Sequence, residues 1–343
     1  PQASNLPYNT YNNTTFYIKG PFDIDHDMTF NNCTFYFTNT GSMHLQGASI
    51  LDLNACTLQA SCDYWQGIVA DNPQQKVSID ICTLKEMKNG ILISNNALVQ
   101  ITNSLFENNE NRSIKFFKMT DQAYAGIVEG NTFNGMMYEC THGIEILNCK
   151  YINIGNPANF SSINVFKELQ NGIDIRGDAN IGALLGSSNQ IGIYNNKFED
   201  IQSNPPNISL VDINNSVYTS PIGAGVNIDY TNAPFSFQAH TTVSYTGVTT
   251  WPSILFDRCS KGIVSQNNNL IAEKLYMKDT WFGIMNRTMS KKNCNIALNK
   301  IENTAIGVQL VGNYTTYDVM ENDITLNEGI GAPYNGNPQQ ILI

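Results

Sequence analysis

Apolar and polar residues alternate in short runs along most of this chain, as in Gly90-Ile-Leu-Ile-Ser94 and Gly172-Ile-Asp-Ile-Arg176. Alternation over four or five residues is the pattern of a strand with one buried face. Turns rich in Asn, Asp and Gly separate the runs, because those residues accept left-handed backbone and bond their own main chain. No segment sustains a helical period, so the pattern predicts strands throughout and excludes a helix-rich fold.

The strands recur. A D-x-W-x-G-I phrase is written twice, at 63–68 and 279–284, and its Gly-Ile half returns at Gly90-Ile91, Gly143-Ile144, Gly172-Ile173 and Gly262-Ile263. Gly225-Val226 and Gly307-Val308 are variants, and several neighbouring copies lie about 21 to 30 residues apart. A small polar pair followed by an apolar residue repeats in step: Cys33-Thr34-Phe35, Cys56-Thr57-Leu58, Cys82-Thr83-Leu84, Asn103-Ser104-Leu105, Asn131-Thr132-Phe133, Cys149-Lys150-Tyr151, Asn196-Lys197-Phe198, Asn299-Lys300-Ile301 and Asn322-Asp323-Ile324. Self-similarity at such a period marks a solenoid, and short strands with stacked turn positions make it an all-β parallel helix. About a dozen rungs, roughly 4.8 Å apart, would give a rod on the order of 60 Å. The Gly-Ile isoleucines and the apolar residue of the second phrase are expected inside. The 47 asparagines would form a ladder of side-chain amides from rung to rung. Trp65 and Trp281 share a register and are expected to pack at one corner of a rung.

Composition sharpens this picture. Charged residues are 14% of the chain, against about 25% in average soluble proteins, as expected when turns use Asn, Ser, Thr and Gly. A net charge of −10 without basic clusters argues against nucleic acid or anionic membrane as a partner. No apolar run is long enough to span a bilayer. Because each solenoid repeat contacts only its neighbours, residues 1–343 read as one continuous domain, with long insertions near 203–221 and 230–252. The chain starts at Pro1 and stops at Ile343, and reads as a piece of a larger exported protein. Cys33, Cys56 and Cys82 fall in one column and are expected as small buried apolar groups. Cys140 with Cys149, or Cys56 with Cys62, could bridge in an exported protein. Scattered histidines and the lack of any C-x-x-C pair give a zinc site little support.

These features together resemble right-handed parallel β-helix domains of the pectin-lyase-like superfamily. The stretch from Phe30 to Ile114 is similar to repeat regions of large surface or secreted proteins of Bacteroidota, many exported by type IX secretion. Gly47-Ala48 with Leu51 and Leu53, the phrase from Cys56 through Asp63, Trp65 and Gly67 to Val69, Asn89-Gly-Ile-Leu92, and the run 103–109 carry that likeness. The superfamily includes polysaccharide lyases, polygalacturonases and pectin methylesterases, but their catalytic phrases do not transfer. Thr141-His142-Gly143 is all that matches the Gly-His-Gly of polygalacturonases, and their Arg-Ile-Lys is missing. The run 23–26, Asp-Ile-Asp-His, only echoes the Trp-Ile-Asp-His of pectate lyases, whose arginine phrase is absent.

Candidate chemistry comes from register. Counting each Gly-Ile as zero, the first outward column holds Glu145, Asp174 and Asn227, and the next holds Arg176 and Asp229. Were the protein an enzyme, Glu145, Asp174, Arg176 and Asp229 would be the catalytic candidates, in a lyase or glycosidase with a non-standard site; a salt-bridged solvent face is the plainer alternative. Asp23, Asp25 and Asp27 alternate with Phe22, Ile24 and Met28 and would face one side of a first strand, where calcium is the candidate ion; the alternative is a polar face turned to water. No other cofactor is implied. Tyr218, Tyr230, Phe235, Phe237, Tyr245 and Trp251, in the insertions, suit stacking on sugar rings, or else form a small core under the loops. The expectation is a secreted or cell-surface module of structural or adhesive role. Its partners would be a polysaccharide or surface glycan and other domains of the parent protein.

Overall fold

The computed structural model describes residues 3, 6–121, 126–136, 140–156, 162–177, 189–202, 223–230, 241–247, 255–288, 292–304, 306–312 and 316–326. They form a right-handed parallel β-helix, and no α-helix occurs among the described residues. Every third strand in chain order joins the same sheet, so each rung gives one strand to each of three faces. One face is a twelve-stranded sheet and another an eleven-stranded sheet. The remaining face is built from two six-stranded sheets, the first ending at Ile127–Glu129 and the second starting at Tyr151–Ile154.

The repeated phrases set the register. Ile68, Ile91, Ile114, Ile144, Ile173, Val226, Ile263, Ile284 and Val308 are successive partners on the eleven-stranded sheet, and all are buried. On the twelve-stranded sheet the inward column runs Phe106, Phe133, Phe166, Phe198, Phe256, with stacked rings 4.6 to 4.9 Å apart. The glycine of the Gly-Ile phrase lies against this stack. A Cβ at Gly143, Gly172 or Gly225 would fall 2.5 to 2.7 Å from ring atoms of Phe166, Phe198 or Phe256.

The cysteine and asparagine columns turn out to be one column. Backbone N–H groups donate from rung to rung: Cys33 to Cys56 Sγ (3.4 Å), Cys56 to Cys82 Sγ (3.2 Å), Cys82 to Ser104 Oγ (3.0 Å). Ser104 continues to Asn131 Oδ1 (2.9 Å), and Asn131 to Asn164 Oδ1 (3.0 Å). Asn164 Nδ2 reaches Asn196 Oδ1 at 2.8 Å, and the ladder resumes as Asn299 to Asn322 at 3.0 Å. Just before most ladder residues stands one in left-handed backbone, among them Asn32, Asn103, Asn195 and, against preference, Ile81 (φ 55°) and Leu298 (φ 58°).

Several expectations need correction. Asn103-Ser104-Leu105 is slipped by one: Ser104 takes the ladder position and Phe106, not Leu105, points inward. Cys149-Lys150-Tyr151 lies at another corner, before the strand Tyr151–Ile154, where Ile152 and Ile154 are the buried residues. All eight cysteines are free thiols, so neither proposed bridge forms; seven are buried and Cys62 is exposed. Trp65 is inside, stacked on Phe37 at 4.0 Å, whereas Trp281 is half-buried on the outside against Phe282 and Met285. Gly67 adopts φ 107° and Gly283 has no positive φ, so the chain enters its strand differently and the two tryptophans do not share a corner. The insertion expected over 230–252 is interrupted by a regular strand, Thr241–Thr246.

Candidate functional site

The strands Arg112–Phe117, His142–Leu147, Asn171–Arg176 and Ala224–Asp229 lie side by side on the eleven-stranded sheet. With the isoleucines inward, alternation turns Lys115, Glu145, Asp174 and Asn227 outward as register partners. Leu147, Arg176 and Asp229 form the next outward column, and Arg112 and His142 precede them in register.

Three of the four expected catalytic candidates converge. Arg176 bridges two rungs, with Nη2 2.7 Å from Glu145 Oε1 and Nε 2.7 Å from Asp174 Oδ2. Glu145 Oε2 also meets Arg112 Nη1 at 3.0 Å and Lys115 Nζ at 3.2 Å. Asp174 is completed by His142 Nε2 at 3.3 Å and by Asn227 Nδ2, which donates to Oδ1 at 2.7 Å. His142 Nδ1 shares a 2.8 Å hydrogen bond with Thr141 Oγ1. Asp229 is the register partner of Arg176 and so lies on the same outer face.

Glu145 and Asp174 are 5% and 1% exposed, although both point away from the core. Burial alone would raise the Asp174 carboxyl. The hydrogen bond and charge of His142, then Arg176 and Asn227, outweigh it and hold the group below the usual carboxylate range. Asp174 is therefore a fixed negative charge, ill suited to deliver a proton, and Glu145 has cations on both oxygens. The arrangement can orient and hold a polar group. Arg112 and Lys115 were invisible to the register count because Ser113 replaces the glycine that set its zero, and His142 stands just before Gly143, outside the columns that were counted.

Further along the rod the same outward columns change character. Val264 and Met285 follow Asn227, and with Ala224 and Phe282 they form a cluster separate from the interior, edged by Trp281 and Ile306. Lys261 stands between Ala224 and Phe282 in register, its amine pushed down to about 8 by burial.

The chain matches the family model described as a right handed beta helix region over residues 4–125. Among solved structures it is similar to the catalytic domain of a GH87 alpha-1,3-glucanase in complex with nigerose, at 12% identity and a TM-score of 0.40. That match covers 93% of this chain and 61% of the other, so this chain spans less than two thirds of the glucanase domain. No curated protein matches.

The expected sugar-stacking aromatics fare differently. Tyr230 and Tyr245 are each 1% exposed and belong to the interior, so they cannot stack on a sugar. Tyr245 alternates inward with Val243 and donates its hydroxyl to Asn196 O at 2.5 Å. Tyr218, Phe235, Phe237 and Trp251 lie outside the described residues. The three aspartates of the calcium candidate are not assembled. The first strand of that face ends at Ile24, leaving Asp25 and Asp27 in the turn before Met28. Asp23 accepts from Gln46 Nε2, Asp25 pairs with His26, and Asp27 accepts from the Ile50 N–H. Among the described residues no group of three or more His, Cys, Asp or Glu side chains is set to hold a metal.

Proposed function

We propose that this chain is a carbohydrate-binding β-helix module, using the outer face of its eleven-stranded sheet, within a surface or secreted protein of structural or adhesive role. One observation carries the reading: on this outer face Arg176, its side chain 42% exposed, is held by the buried carboxylates of Glu145 and Asp174, with Arg112 and Lys115 beside it. A pyranose presents hydroxyls at its rim, and charged donors fixed in this way can bind them. The ion pairs pre-arrange donors and acceptors without freezing side chains on binding. Export by type IX secretion from a bacterium of the Bacteroidota, and further domains in the parent protein, follow from the resemblance of residues 30–114.

The test is a glycan array of neutral, acidic and amino-sugar polymers, with titration of any hit against the wild type and Arg176→Ala. Millimolar or tighter binding, about −4 kcal/mol or better, weakened by Arg176→Ala, is expected. Binding unchanged by that substitution would place the site elsewhere. Turnover that disappears in Asp174→Ala would instead make the protein a lyase or glycosidase.

A further inference from the structure

The interior of the rod changes composition past the charged cluster. One inward column runs Ile146, Ile175 and Ile228, continues as Ser265 and Asn286, and returns to Leu310. Ser265 and Asn286 are each 1% exposed. Asn268, wholly buried at the corner after the same strand as Ser265, donates from Nδ2 to Ser265 Oγ at 3.0 Å and to Gln266 O at 3.1 Å. Its Oδ1 meets no donor among the described residues, and neither polar atom of the Asn286 amide makes a hydrogen bond there. The Cys294 thiol lies beside that amide, but sulfur is a weak acceptor. One rung on, Tyr317, the register partner of Cys294, buries an unpartnered hydroxyl.

Burying an amide without partners is costly, and the isoleucine used on the rungs before would have avoided it. Asn268 Oδ1 can only accept, Asn286 can accept at Oδ1 and donate from Nδ2, and Ser265 still has a hydrogen to give. A cation would bind the oxygens and strand Nδ2, and an anion would do the reverse. Water donates and accepts. Serine is also smaller than the isoleucines before it, which leaves space between rungs about 4.8 Å apart.

We propose that Ser265, Asn268 and Asn286 form a water site inside the coil, where ordered water bridges the serine hydroxyl and the two amides from rung to rung. The site lies behind the outer face and is independent of glycan binding. A crystal structure of the wild type should show solvent density about 3 Å from Ser265 Oγ and the Asn286 amide. Asn286→Leu, close in shape, should lose that density. In urea it should lower the folding equilibrium constant about tenfold, because the water and Ser265 lose a partner. Ser265→Ala should cost less, and the double variant less than the sum, since both residues bind one water. An Asn286→Leu protein more stable than wild type would show an amide stranded in a dry core and overturn the site. So would a wild-type structure without the density, which decides the question even where a variant does not fold. Density contacted by oxygens alone, with stability that changes when potassium replaces sodium, would make it a cation site and overturn the water assignment.

Discussion

Near one end of the rod the buried turn column is made of thiols, Cys33, Cys56 and Cys82; in the middle it is made of amides, Asn131, Asn164 and Asn196. The thiols accept long, weak bonds of 3.2 to 3.4 Å from rungs spaced 23 and 26 residues apart. The amides accept and donate at 2.8 to 3.1 Å, between rungs spaced 33 and 32 residues apart. The extra residues are insertions, and insertions loosen a coil by adding chain that must be closed at every rung. Those same three rungs place Glu145, Asp174 and Asn227 on the outer face. Where the turns are short, a small apolar group suffices to stack. Where the rod carries loops and the charged cluster, a two-sided hydrogen-bonding group and the phenylalanine stack bind one rung to the next.

Removing an amide should therefore do the most damage. Asn164 accepts from Asn131 and donates to Val128 O (2.8 Å) and Asn196 Oδ1, with no exposure to solvent. Asn164→Ala strands two buried partners, the Asn131 N–H and Asn196 Oδ1, while Val128 O keeps the Gly155 N–H; at about 1–3 kcal/mol each, urea denaturation should show a loss of about 3–4 kcal/mol. A loss below about 1 kcal/mol would mean that the amide ladder is decoration and that the phenylalanine stack alone holds these rungs.

Alkaline pH probes the buried thiols as a set. Burial pushes Cys140, Cys149, Cys259 and Cys294 up to about 12 from 9.0. A raised folded value gives stability that is complete below pH 9 and is lost as pH rises toward 12. Lys261 and Lys292, both pushed down to about 8 by burial, act oppositely: their cost is present below pH 8 and fades toward the pH of a free amine. Four thiols against two amines give a net fall between pH 9 and 11, up to roughly 1.4 kcal/mol per thiol per pH unit. Urea titrations under reducing conditions should show it. Below pH 9 only Cys62 should label with iodoacetamide in the native state; labelling at the Cys33 column without unfolding would contradict the packing.

The fold was legible because a solenoid writes its register into the chain: one Gly-Ile phrase located the inward column of nearly every rung. The charged cluster was half legible for the same reason. Glu145, Asp174 and Arg176 follow from counting, while Arg112 and Lys115 were hidden by the serine at 113. Tyr245 was misread because a segment rich in Tyr and Thr, read without partners, conceals a strand, and Tyr230 because it was assigned to an insertion although it directly follows the strand Ala224–Asp229. Only pairing with Asn189–Tyr194 and Asn269–Glu273 sends Tyr245 inward.

Substitution in the thiol column should be milder. Cys56→Ala removes a sulfur that accepts from the Cys33 N–H and donates to Phe30 O at 3.2 Å, and the space it leaves is about that of one methyl group. About 1 kcal/mol of destabilisation is expected. A cost equal to that of Asn164→Ala would erase the distinction between the two stretches of ladder.

The smallest effect should be a gain. Ile81 precedes the ladder residue Cys82 with φ 55° and is 60% exposed. A β-branched side chain in left-handed backbone is strained, and here it recovers little from burial. Four corresponding positions use Asn or Gly, namely Asn32, Asn103, Gly130 and Asn195, while Ala55, Leu298 and Glu321 share the left-handed backbone without that advantage. Asn tolerates this conformation and can bond locally, so Ile81→Asn should stabilise the protein by about 0.5–1 kcal/mol, raising the urea midpoint with an unchanged slope. Ile81→Gly relieves the same strain but adds freedom to the unfolded chain, so it should gain less. If Ile81→Asn destabilises while Asn103→Ile does not, local backbone preference plays no part in the turn, and the asparagines before the ladder need another explanation.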